Sequence, residues 1–304
     1  MTTEQPPVTD ITVNLEALWL LQALLGIPRL ASELRVRPYG QPRSTEWVTQ
    51  HPGLGVLVGQ GICDDGGVVR ADIAERMAAL AAPDVEVVIL VSRGRLNWSN
   101  PVVLDDPATW RAIPDEQLRI VLSRRDGRWT SAVRTGEVIT IDDCEPVDSE
   151  RLEQLVCQAL DSVHHVEPAR ITAVNIPLDS MLGALADHAQ AGSVAAKQAA
   201  LRAAGLRGAA LAELAAALDE PQAEAVLYAR AYVDAETSLS ASVLNLRDTA
   251  SGRVALYRLS PPHGSLQEWM AIAPATPAQV RHAVSTVLGS VTVRSWDAHE
   301  RMST

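Results

Sequence analysis

The chain has 304 residues, 47% hydrophobic and 21% charged, a balance that excludes collagen-like, fibrous and intrinsically disordered classes and can bury a core without staples. Thirty-seven acids against 26 bases leave a net charge of −11, so nucleic acid and anionic membrane surfaces are not expected partners. Three scattered cysteines, Cys63, Cys144 and Cys157, fit reduced thiols in a cytoplasmic protein, and the apolar stretches at 18–21 and 87–91 are far too short to cross a bilayer.

Residues 11–14 alternate like a short strand, and 15–25 follow as a helix that stops at Gly26 and Pro28. The pattern then predicts a strand at 34–38 and helices at 45–50 and 69–82. Strands are predicted at 85–92, 118–124, 129–134 and 138–141, with Asp126-Gly127 and Gly136 as turns. The segment 95–117, with Pro101, Pro107 and Pro114, reads as a protruding mobile loop that should order against a partner. A helix at 149–163 closes the first half, and 166–177 reads as a boundary. Alanine-rich helices are expected at 178–189, 194–204 and 211–218. Strands at 224–231, 240–246, 253–259 and 269–273 then precede a helix at 277–288.

The order helix, strand, hairpin, strand, helix thus occurs twice. A shift of 138 positions aligns 73–88 with 211–226 and matches eight of 16 residues, among them Glu86 with Glu224. A shift of 128 aligns 146–163 with 274–291, where Asp148 and Thr276 both fall at helix N-caps. The expectation is an α+β fold with a quasi-twofold duplicated architecture: two antiparallel β-sheets with helical bundles, divided into an N-terminal α+β subdomain, 1–165, and a C-terminal one, 166–304. A groove along the pseudo-twofold axis would receive a partner.

Catalytic and cofactor signals are absent from the sequence. Gly53-Leu-Gly-Val-Leu-Val-Gly59 follows His51-Pro52 rather than a strand, with its third glycine one position late for a dinucleotide loop, and reads as a structural turn. Cys144, Cys157, His164 and His165 have no metal-ligand spacing, and Asp142 and Asp143 point to opposite faces of a strand and cannot share a proton. No catalytic residue, cofactor or metal is assigned.

The chain resembles the EspG family of cytosolic chaperones of the mycobacterial type VII (ESX) secretion systems. Its first half shows this in Thr9-Asp-Ile-Thr-Val-Asn14, Glu33-Leu-Arg35 with Arg37-Pro-Tyr39, His51-Pro-Gly53, Leu80-Ala-Ala-Pro-Asp84, Ser92-Arg-Gly94, Ile113-Pro-Asp115 and Ser131-Ala-Val-Arg134. The second half adds His164-His165, Ala173-Val-Asn175, Tyr228-Ala-Arg230, Ser240-Ala-Ser-Val-Leu244, Gly252-Arg-Val-Ala-Leu-Tyr257 and Pro274-Ala-Thr-Pro277. The similarity is greatest to the branch serving the fifth ESX system. It implies a non-catalytic protein that binds a PE–PPE heterodimer through the hydrophobic helical tip of the PPE subunit, keeps it soluble and directs it to its secretion system. A small-molecule enzyme with its site in the central groove is the alternative.

Within the expected groove, the contact residues would come from matching strands. These are Trp129, Ser131 and Asp142 from the first sheet, Tyr228, Ser240 and Ser242 from the second, and Arg111 from the loop base. Trp129 and Ser131 share a strand face, as Ser240 and Ser242 would, and the small hydroxyls leave room for a helix tip.

Overall fold

The computed structural model describes residues 10–39, 47–96, 106, 113, 117–233, 236–259 and 266–301. Strand β1 (Asp10–Asn14) runs directly into helix α1 (Leu15–Leu25), because Asn14 Oδ1 accepts the Ala17 N–H at 2.8 Å and caps the helix. Short helix α2 (Leu54–Gly59) and α3 (Ala71–Ala81) precede strands β2 (Val85–Arg93), β3 (Leu118–Arg125), β4 (Arg128–Thr135) and β5 (Val138–Cys144). Helix α4 (Ser149–Asp161) closes this half, capped by Asp148. The second half comprises β6 (Val174–Pro177), α5 (Leu178–Gln190), α6 (Val194–Ala203), α7 (Gly208–Ala217), β7 (Ala223–Val233) and β8 (Glu236–Leu239). Strands β9 (Leu244–Thr249), β10 (Gly252–Leu259) and β11 (Trp269–Pro274) and helix α8 (Pro277–Gly289) complete it.

Eleven strands form one antiparallel sheet in the order β1-β5-β4-β3-β2-β7-β9-β10-β11-β6, with β8 beside the far end of β7. The expected two sheets are therefore corrected to one. Strand β2 pairs with β7 along nine positions, from Val85 opposite Ala231 to Arg93 opposite Ala223, and joins the halves. Eight of the nine residues of β2 are buried, as a central strand covered on both faces requires.

Both faces of the sheet are packed. On one, α1 and α3 lay Leu18, Leu21, Ile73 and Met77 against Val88, Val121, Ala132 and Ile141, while α5, α6 and α7 lay Met181, Leu201 and Leu214 against Val254, Leu256 and Ile272. On the other face, Leu152, Val156 and Leu160 of α4 and Val280, Ala283 and Val284 of α8 cover Val87, Ile89, Leu227 and Ala255.

Five local expectations change. The alternation at 34–38 forms no strand: a 3-10 turn, Ser32–Leu34, ends at Arg35 with φ +49°, which breaks an extended run. Of the helix expected at 45–50, the described part is a single 3-10 turn, Val48–Gln50. The strand expected at 240–246 begins at Leu244, because Ser240 is held off the ladder: its N–H donates to the Ala229 carbonyl and its Oγ accepts the Ala229 N–H. The boundary at 166–177 contains edge strand β6, paired to β11. The 53–59 glycine segment, read as a turn, is instead helix α2, with Leu57 fully buried. In the β3–β4 hairpin, Asp126 and Gly127 have φ of +50° and +78°, the primed turn expected of Asp-Gly.

Gly252 shows how tightly the inter-half connection is stitched. Its φ is +106°, and a Cβ there would lie 2.7 Å from Ala169 Cα and 2.8 Å from the Glu167 carbonyl. The Arg253 N–H bonds that same carbonyl at 2.9 Å. Gly252→Ala is expected to lower unfolding free energy by about 2 kcal/mol or more, through backbone strain plus displacement of the connection. Urea denaturation monitored by circular dichroism measures it, and an unchanged midpoint contradicts the assignment.

Candidate functional site

A cleft of about 470 Å³ lies on the sheet face that carries α5, α6 and α7. Its floor consists of Glu224 of β7, Asn245 and Arg247 of β9, Leu256 and Arg258 of β10 and Met270 of β11. Leu185, His188 and Ala189 of α5 and Lys197 of α6 wall it, Val243 edges it, and Arg95 stands where the 95–117 segment leaves β2. Alternation puts Glu224, Asn245, Arg247 and Leu256 on one sheet face.

The polar groups in the cleft are largely matched to one another. Glu224 is buried; its Oε2 accepts the Leu96 N–H and its Oε1 accepts Asn245 Nδ2, each at 2.7 Å. Arg247 lies with its Nε 3.8 Å from Glu224 Oε1 and donates through Nη2 to the Asp219 carbonyl at 3.2 Å. Lys197 pairs with Asp219, and Arg258 with Glu268. His188 donates Nε2–H to the Ala215 carbonyl at 3.3 Å, and burial holds its imidazole below the usual range. Mutually paired charges among apolar walls suit the binding of a predominantly apolar object better than proton transfer.

Farther along β7 on the same face, one guanidinium serves two acids. Arg230 forms a two-pronged pair with Glu33, at 3.1 and 2.8 Å, and also pairs with Glu86. Tyr228 OH donates to Glu33 Oε1 at 2.7 Å. Burial would raise Glu33, but the charge and hydrogen bonds of Arg230, with the Tyr228 hydroxyl, outweigh it and hold that carboxyl below its ordinary value. Burial dominates at Glu86, which is fully enclosed: its pKa rises to about 7 although Arg230 pulls it down.

The structure does not gather the seven expected contact residues. Ser131 and Asp142 are opposite each other on β4 and β5, and Trp129 shares their face, the one that carries α4. Tyr228 is on the opposite face, in line with Val88, Val121 and Ala132. Trp129 is 6% exposed and packs in the core, with the Arg124 guanidinium over its ring. Ser242, 2% exposed, donates to the Arg258 carbonyl, and Ser240 bonds the β7 main chain. Burial pushes the Asp142 carboxyl up. Arg111 and most of 95–117 lie outside the described residues. With one sheet, the axis between the halves falls between β2 and β7 rather than along an open groove. Sequence reasoning gave no site role to Glu33 and Glu224, which it met only in a family motif and in the self-comparison, and did not single out Asn245 or Arg247. The one signal for a central acid was the match of Glu86 with Glu224 in the self-comparison.

A sequence model described as the EspG family matches residues 14–286. The chain belongs to the EspG family. It is 44% identical over 299 residues to the ESX-5 secretion-associated protein EspG5 of Mycobacterium marinum, covering 98% of this chain and 99% of that one. It is also 44% identical over 302 residues to the protein of that name from Mycobacterium tuberculosis, with the same coverage. Among solved structures, the M. tuberculosis type VII secretion system chaperone EspG5, in complex with a PE25-PPE41 dimer, superposes with a TM-score of 0.83 at 43% identity, over 96% of this chain and all of that one.

The Glu86 site predicts a pH dependence. Because its folded pKa, about 7, lies above the ordinary 4.5, the stabilisation it brings is complete below pH 4.5 and is lost as pH rises through 7. Unfolding free energy is expected to fall between pH 5.5 and pH 8, by about 2 kcal/mol from this group, and Glu86→Gln should remove that part of the slope. Urea titrations of both proteins across the range check it; identical slopes contradict it.

Proposed function

We propose that this EspG-family protein is a chaperone of the ESX-5 branch that binds a PE–PPE heterodimer through the helical tip of the PPE subunit, keeps the pair soluble and delivers it to the secretion apparatus. The observation that carries this reading is the full-length likeness, at 43% identity and a TM-score of 0.83, to a chaperone caught holding a PE25-PPE41 dimer. The surface supports it. On α6, Val194, Ala195, Ala196, Ala199 and Ala203 are all exposed, and Leu182 of α5 is 52% exposed. An apolar outer helix face beside an apolar-walled cleft is a surface for a partner to cover. No helix among the described residues is long and apolar enough to cross a membrane, and a chaperone that meets its substrates before export would act in the cytoplasm. We read the cleft as binding and not catalytic, since His188 spends its donor on a main-chain carbonyl and Lys197 and Arg247 face acids.

We also infer that 1–165 and 166–304 are duplicated subdomains within the single sheet. Outward from the centre, β2-β3-β4-β5-β1 is mirrored in chain order by β7-β9-β10-β11-β6. Ile89 lies opposite Leu227, 138 positions away, the shift that aligns the repeated segments.

Gel filtration of the protein mixed with the PE25-PPE41 dimer, or with PE–PPE pairs from its own genome, is expected to give a one-to-one-to-one complex. Val243→Asp and Ala189→Arg, at exposed positions on the cleft, should weaken that complex about 100-fold while shifting Tm by only about 3 °C. Failure to bind every pair would overturn the reading.

A further inference from the structure

Between β8 and β9 the chain leaves the sheet ladder, and three serines hold it there. Ser240 makes two bonds with Ala229, its N–H donating to the carbonyl and its Oγ accepting the N–H. Ser242 Oγ donates to the Arg258 carbonyl at 2.8 Å. Ser290 follows α8, which packs on the opposite face of the sheet, and serves two amides of the segment. Its carbonyl accepts the Ala241 N–H at 3.3 Å and its Oγ accepts the Ser242 N–H at 2.9 Å. The same hydroxyl donates to the Val287 carbonyl at 2.7 Å, so one oxygen bridges the end of α8 and the segment. A backbone that gives up strand pairing must find such partners elsewhere, and here they also fix its course.

With the even-numbered serines bonded inward, the odd-numbered side chains belong to the cleft face. Leu239 stands opposite Arg230, and residues directly opposite share a face, the one on which Arg230 meets Glu33. Ala241 and Val243 line the cleft itself. All three are exposed, Leu239 at 58%. Leu239 therefore continues the apolar edge of the cleft by two residues, about 7 Å of extended chain. A partner can cover three apolar side chains in line on a backbone that is already fixed without the cost of ordering that backbone.

We propose that this row is the outer edge of the partner-binding cleft, carried beyond Val243 and Ala241 to Leu239, and that Ser290 positions it from the other face of the sheet. The occupant is the apolar helical tip of the PPE subunit, which lies against Ala241 and Val243 in the cleft and reaches Leu239 along the same row. The inference rests on the proposed function and adds to it a contact residue outside the cleft and three positioning residues. Ser240, Ser242 and Ser290 hold the surface that the partner touches and do not themselves touch it.

Two variants test it, by calorimetry with the PE25-PPE41 dimer or with the PE–PPE pair of its own genome that the wild-type protein binds. Leu239→Asp should raise Kd about ten-fold or more while Tm moves by no more than about 3 °C. Ser290→Ala should speed hydrogen exchange at the Ala241 and Ser242 amides of the free protein about ten-fold, with the rest of the sheet still protected, and should raise Kd about five-fold. Ser290→Thr, which keeps the hydroxyl, should restore both. If Ser290→Ala does not fold, Ser290→Cys, which keeps the shape and offers a weaker acceptor, takes its place. Unchanged affinity in folded Leu239→Asp removes the contact, and faster exchange with unchanged affinity leaves Ser290 a purely structural residue; either result overturns the inference and leaves the proposed function standing. Failure of the wild-type protein to bind any PE–PPE pair removes that function and this edge with it, and is read before any variant is compared.

Discussion

The pairing of β2 with β7 is the contact on which the rest of the molecule depends. Without it a five-stranded and a six-stranded sheet would each present an apolar edge strand to water, the arrangement that invites edge-to-edge aggregation. Nine consecutive backbone pairings close that edge, and α4 and α8 meet over the seam, where Val156, Leu160, Val280 and Val284 cover Ile89 and Leu227. Seam and cover reinforce one another, because α4 packs on β7 of the other half as well as on β2.

The opposite side of the same seam sets polar groups among Val88, Leu90 and Val226, and the cleft lies beside them. There β2 and β7 present Glu86, Glu224, Tyr228 and Arg230 where helices would otherwise close over the sheet. Burying a carboxylate is costly unless it is paired, so Arg230 is shared between Glu33 and Glu86 and Glu224 is fixed by Asn245 and the Leu96 N–H. The first cluster anchors the turn after α1, and the second holds the base of the 95–117 segment against the cleft. A cleft that receives a largely apolar object needs a preformed shape that does not collapse when empty. Internally matched charges meet that need, since collapse would strip water from them without providing better partners.

The departure of the contact residues from the expected positions has a physical reason. The prediction placed Trp129, Ser131 and Asp142 in one site with Tyr228 by assuming that two sheets faced each other across an axis. In a continuous antiparallel sheet, residues directly opposite across the strands share a face, and following the pairs from Tyr228 through Val88 and Val121 leads to Ala132. Ser131 is one position away and so faces the other way. A single change in how the halves join thus moved half the candidate site to the wrong side of the sheet.

Local signals in the sequence determined most elements of this protein. Asn14 and Asp148 cap their helices, Asp126-Gly127 turns the β3–β4 hairpin, and the apolar run at 85–92 is the fully buried central strand. Each depends on neighbours within a few positions, and such neighbours are visible in the chain. The family motifs carried the membership. Only the tertiary structure decided that there is one sheet, that Glu33 reaches Arg230 across nearly 200 positions, and that Asn245 and Arg247 line a cleft. Backbone pairing between distant strands is nearly independent of side-chain identity, and a cleft exists only once everything around it is in place.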